Sequence, residues 1–63
     1  MATTRDKVEK FLLERKSMVS ARHIADHFAA PLSTVHGALR AIGKTRQVEM
    51  RRINREAYYR IVR

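Results

Sequence analysis

Cysteine and tryptophan are absent from these 63 residues, which contain two glycines and one proline. No disulfide and no cysteine-ligated metal can brace the chain. That usage suits a reducing compartment, and a cytoplasmic, nucleoid-associated location is expected. No apolar run approaches the roughly 20 residues that cross a bilayer. The opening stretch MATTRDKVEK is charged where a signal peptide would be apolar, so neither secretion nor a membrane partner is expected. There is no glycine-rich phosphate loop and no recognisable nucleophile set. A domain this small has little room for a lined pocket. The chain is therefore read as a binder without a cofactor or small-molecule substrate, and not as an enzyme.

Acidic residues are also scarce. Six Asp and Glu face fourteen Lys and Arg, for a formal charge of +8 and a pI near 11.2. Such an excess points to a polyanionic partner, nucleic acid first. The excess is uneven. Residues 1–43 hold seven basic and four acidic groups, a net of +3; residues 44–63 hold seven and two, a net of +5. The last third is the most basic part.

The length allows one domain, residues 1–63, which would hide only about 60% of its unfolded surface. Periodicity predicts a first helix from about Arg5 to Arg15. Thr3 or Thr4 can cap it, and Asp6 suits its positive end. Val8, Phe11, Leu12 and Arg15 follow helical spacing, the arginine stem covering apolar surface. Lys10 and Glu14 are four apart, a solvated pair in a helix. Met18 and Val19 suit a short extended link or a one-ladder strand. Ser20 then caps a second helix, ARHIADHF, with Ala21, Ile24, Ala25 and Phe28 inward. Pro31 disfavours helical geometry at Ala30 and fits the first turn of a third helix. That helix runs from about Leu32 to Ile42, with Val35, Ala38, Leu39 and Ile42 as its core stripe. Gly43 is expected to close it in the left-handed conformation.

Beyond Gly43 the hydrophobic period drops from about 3.6 to 2, the signature of strands. A two-residue turn at Asn54 and Arg55 pairs Val48 with Ile61 and Met50 with Tyr59 on one face. It pairs Glu49 with Arg60 and Arg51 with Tyr58 on the other. Apolar then meets apolar and acid meets base. Arginine is a poor replacement for glycine at the second turn position, so a longer loop is the alternative.

Three short helices followed by a basic hairpin form an α+β order. The stretch VSARHIADHFAAPLSTVHGALRAIGK resembles the winged helix-turn-helix superfamily, in particular its small bacterial, phage and plasmid transcription regulators. The resemblance spans about residues 4–62. Ala29-Ala30 stands where many relatives have a glycine in the turn, and Pro31 where a capping serine or threonine is common. Winged domains that read left-handed DNA carry a tyrosine near the position of Arg40, so that function is not carried over.

The resemblance implies that the third helix enters the major groove of double-stranded DNA. Its outer face carries small polar groups and one arginine, and no acid. Ser33 and Thr34 can donate to phosphate or base edges, His36 can donate or accept, and Arg40 can grip guanine with two hydrogen bonds. Gly37 costs a helix about 1 kcal/mol relative to alanine; close backbone approach to DNA or to the first helix would account for it. Lys44 and Arg46 come next in the chain as phosphate neighbours. Arg51, Arg52, Asn54 and Arg55 gather at the hairpin tip, for the backbone or a narrow minor groove. Ser20 and Arg22 open the second helix, whose amides can hold a phosphate.

His23 and His27 are four apart, but Ile24 follows His23 where a zinc protease helix has glutamate, so no metal is expected. No exposed aromatic pair on a sheet supports stacking on single-stranded RNA. Two alternatives to a sequence-specific regulator stand: a protein-docking module and a non-specific architectural DNA binder. One copy reads few base pairs, so a homodimer or a second copy on DNA is expected. Leu13, Met18 and Val62 are the apolar candidates for such a contact.

Overall fold

A computed structural model describes residues 3–62; Arg63, counted above with the basic residues, lies outside the described residues. The elements run α1 (Thr4–Leu13), β1 (Val19–Ser20), α2 (Ala21–Phe28), α3 (Leu32–Ile42), β2 (Val48–Ile53) and β3 (Glu56–Ile61). The fold is α+β: three helices and a three-stranded antiparallel sheet in the order β1-β3-β2.

Local chemistry starts each helix. The Asp6 N–H donates to Thr3 Oγ1 at 3.2 Å, and the Thr3 N–H donates to Asp6 Oδ2 at 3.3 Å. This reciprocal cap satisfies two amides that would otherwise lack acceptors. Ser20 Oγ accepts from the His23 N–H at 3.1 Å and so caps α2. Pro31 sits at the N-cap of α3, just outside the first turn, and supplies no side-chain hydrogen bond.

The helix ends differ from expectation. α1 stops at Leu13, not Arg15. The Arg15 N–H bonds the Leu12 carbonyl at 3.1 Å, a tightened last turn. Glu14 becomes the C-cap, and no Lys10–Glu14 ion pair forms among the described residues. Arg15 still covers apolar surface: its guanidinium carbon lies 4.3 Å from the centre of the Phe11 ring. The left-handed cap falls at Ala29 (φ 51°), at the end of α2, while Gly43 stays right-handed (φ −61°). After Gly43 the chain continues through turns, with the Lys44, Thr45 and Arg46 amides bonded back to Ala41 and Ile42. Those turns satisfy the last carbonyls without a reversal of handedness.

The core joins all three helices to the sheet. Val8, Phe11 and Leu12 of α1 meet Ala21, Ile24 and Ala25 of α2 and the Val35, Ala38, Leu39, Ile42 stripe of α3. Val19 and Ile61 add the sheet's contribution, and Phe28, Val48 and Tyr59 pack at the margin. No polar side chain is buried among the described residues. Phe11 also gathers aromatic neighbours, with His27 at 4.5 Å and Phe28 at 5.5 Å between ring centres.

The hairpin register is the one the sequence predicts. Val48 pairs with Ile61, Glu49 with Arg60, Met50 with Tyr59 and Arg51 with Tyr58. The turn is two residues long, with Asn54 at φ 50° and Arg55 at φ 69°. Positive φ at both positions matches the right-handed twist of the flanking strands. β1 extends the sheet on the other side of β3, pairing Val19 with Tyr59 and Ser20 with Tyr58.

One ion pair in the hairpin predicts a pH effect. Arg60 Nε donates to Glu49 Oε1 at 2.9 Å. That hydrogen bond first, then the charge of Arg60, holds the Glu49 carboxyl below its ordinary range. A carboxylate lowered in the folded state stabilises above its unfolded pKa, and the gain disappears as pH falls through the folded value. Glu49→Gln should therefore flatten the acid side of the stability curve, between about pH 5 and pH 2. Melting temperatures of both proteins across that window check it; parallel curves would contradict it.

Candidate nucleic-acid interface

Helical geometry sorts the outer residues of α3 by direction. Ser33, Gly37 and Arg40 lie opposite the core stripe. Leu32, His36 and Arg40 form the side toward the β2–β3 hairpin. Thr34 lies on the flank away from it. All six are exposed.

On the hairpin, alternation divides the arginines. Arg52 pairs with Ala57 and shares a face with Met50 and Tyr59, the face turned to the helices. Arg51 pairs with Tyr58 on the opposite face. Arg51 and Arg52, grouped from sequence, thus point to different sides of the sheet.

Between the start of α2, α3 and the hairpin runs an open groove of about 400 Å³. Arg22 comes to it from α2, His36 and Arg40 from α3, and Arg52 and Arg55 from the hairpin. Ala21, Ala57 and Tyr59 contribute smaller or apolar surface, and Glu56 is the one acid in the lining among the described residues. Four arginines, from α2, α3 and the hairpin, therefore border one concave surface. Asn54 sits beside Arg55 at the exposed tip.

Two predicted residues stand apart. Arg46 donates through Nε to Glu9 Oε2 at 2.7 Å, so its charge is turned toward α1. Arg5 joins this network, reaching Glu9 at 3.6 Å and donating to Thr45 Oγ1 at 2.8 Å. The pairing ties the start of α1 to the turn after α3. Lys44 is exposed in that same turn, beyond the C-terminal end of α3.

Gly37 is open to solvent, and a Cβ built there meets nothing within 4 Å. Close approach to α1 is therefore not the reason for it. Gly37→Ala should stabilise the fold by about 1 kcal/mol, a rise of roughly 4–8 °C in melting temperature for a domain of this size. Thermal denaturation followed by circular dichroism checks this, and a fall would mean that the helix needs glycine for its own packing.

The exposed large apolar residues are not those expected. Leu13, Met18 and Val62 are half-buried. Leu32, Met50 and Ile53 are 42%, 52% and 49% exposed. Leu32 lies three residues before Val35, so its spacing reads as core, yet it hangs past the edge of the packed layer. No known protein family, curated protein or solved structure matches this chain.

Proposed function

We propose that the chain is a winged helix-turn-helix protein that binds double-stranded DNA in sequence-specific fashion and regulates transcription in the cytoplasm. α3 lies in the major groove, and the β2–β3 hairpin is the wing, set against the backbone or the minor groove. The observation that carries this reading is the convergence of Arg22, Arg40, Arg52 and Arg55 on one groove.

Two local costs support it. Arg55 takes a positive φ at the hairpin tip, where glycine would carry no steric penalty. Gly37 weakens the middle of α3 with no neighbour to require it. Both residues sacrifice local stability, the first to place a cation at the tip and the second to thin the outer face of the helix. A backbone that must approach base edges closely, beside a basic tip that meets phosphate, accounts for both.

The division of labour follows from position. Arg40 and Ser33 are suited to base edges, and His36 and Thr34 flank them on either side. Arg22, Arg52, Asn54 and Arg55 meet phosphate or the minor groove. Lys44 supplies a more distant phosphate contact, and Arg46 does so at the expense of its pair with Glu9. Arg51, on the far face of the hairpin, contributes long-range charge.

Selection from a random pool of duplex DNA at two salt concentrations tests the reading. An enriched short motif with steep salt dependence supports a regulator. Salt-sensitive binding without enrichment supports an architectural DNA binder. No binding at low salt overturns DNA recognition. The exposed Leu32 in the groove favours a second reading, docking onto an acidic protein surface. Ser33→Ala, which lies outside the groove lining, would then leave DNA-independent capture of that partner intact.

A further inference from the structure

β2 is an edge strand: the sheet order β1-β3-β2 leaves one of its sides without a strand partner among the described residues. The hydrogen-bonding phase of that side is readable. The Gln47 carbonyl accepts from the Val62 N–H at 2.9 Å, so residue 47 directs its backbone toward the β3 side. In an antiparallel ladder the direction alternates. Glu49, Arg51 and Ile53 therefore bond β3, while Val48, Met50 and Arg52 turn their N–H and C=O groups outward.

The side chains along this edge read Glu49-Met50-Arg51, an acid and a base on either side of an exposed methionine. We propose that β2 is a self-association edge, pairing antiparallel with β2 of a second copy in a register centred on Met50. A two-fold axis normal to the sheet then sets Met50 opposite Met50, Glu49 opposite Arg51 of the second copy, and Arg51 opposite its Glu49. The outward-facing groups of Val48, Met50 and Arg52 form about six backbone hydrogen bonds between copies. Glu49 and Arg51 fall at the positions without those bonds, where facing side chains come closest.

Charge selects this register over its neighbours. A shift of the axis to Arg51 sets arginine against arginine, and a shift to Glu49 sets glutamate against glutamate. Either costs stability. In the Met50 register each Glu49 lies between Arg60 of its own hairpin, at 2.9 Å, and Arg51 of the second copy. The two Met50 side chains, each 52% exposed alone, cover one another on the other face. A charged edge commonly blocks pairing; here the order of the charges admits one partner, the same strand reversed. The inference does not rest on DNA binding.

Sedimentation equilibrium of the whole chain without DNA tests it. Ionic strength near 0.15 M screens the +8 charge of each copy. The wild type should associate in a concentration-dependent way. Arg51→Glu, whose side chain faces Tyr58 within the hairpin, should associate roughly tenfold more weakly. An equimolar mixture of Arg51→Glu and Glu49→Arg should recover association, because each then presents the charge the other lacks. Met50→Pro removes an outward N–H and no β2–β3 hydrogen bond, so association should vanish while circular dichroism stays folded. If that variant does not fold, Arg51→Glu and the mixture decide. A wild type that stays monomeric up to about 1 mM, or a dimer that none of these changes weakens, overturns the proposal.

Discussion

Ile24→Ala should lower the melting temperature by at least about 10 °C and leave a sizeable unfolded fraction at 37 °C. Ile24 lies in the middle of α2 and is fully buried. It belongs to the core formed with side chains of α1 and α3 and with Val19 and Ile61 of the sheet. Truncation removes apolar contact and leaves a cavity that a small core closes poorly, a cost of about 2–5 kcal/mol. A chain of this length has a total stability of only about 3–9 kcal/mol, so one side chain carries much of the margin. Each kcal/mol is about 4–8 °C for a domain of this size. Ile53→Ala is the matched control. Ile53 is 49% exposed near the hairpin tip, and its truncation should change stability by less than about 0.5 kcal/mol. Thermal melts of the two variants decide the matter. Equal losses would mean that the core is not where α2 packs.

The second large effect concerns binding and rests on the proposed function. Arg40→Ala should weaken the preferred DNA site by roughly 10- to 100-fold and relax the motif at one or two positions. A guanidinium with two hydrogen bonds to guanine is worth about 1–3 kcal/mol of discrimination. Arg55→Ala should behave differently. It should weaken binding to all sequences alike and reduce the slope of log affinity against log salt by about 1. Both residues are exposed and line the groove, so neither change should cost more than about 0.5 kcal/mol in folding. Fluorescence anisotropy on specific and scrambled duplexes, across a salt series, separates the two behaviours. A uniform loss from Arg40→Ala with the motif unchanged would move Arg40 from base reading to phosphate contact.

The hairpin shows how far local pattern carries. Its register followed from alternation together with a two-residue turn at Asn54 and Arg55, because shifting a strand by one residue would turn every apolar side chain to the wrong face. The two-residue turn was less clearly marked, since arginine at a positive φ is unfavourable; the folded hairpin accepts that strain at Arg55. The limits of α2 and α3 were legible for similar reasons. Ser20 marks one start, Pro31 the other, and the apolar stripe runs to Ile42. The end of α1 was not legible, because Glu14 and Arg15 are good helix formers and nothing local forbids another turn. Gly43 misled for the opposite reason: glycine permits the left-handed conformation but does not require it.

The candidate interface divides in the same way. The outer face of α3 could be read from spacing, since a single helix determines which residues oppose its core stripe. The groove could not. It needs Arg22, Arg40 and Arg52 from three elements to meet, and their separation along the chain says nothing about their distance in space. The pairing of Arg46 with Glu9, thirty-seven residues apart, is equally invisible before folding. So is the exposure of Leu32 and Met50, whose spacing is that of buried residues but whose positions fall past the edge of the packed layer. Periodicity, capping groups and net charge act over a few residues or over the whole chain, so the elements, their inner faces and the excess of basic charge were present in the sequence. Which cations converge, which are neutralised and which strand is left with an open edge depend on how the elements dock, and only the tertiary packing decides that.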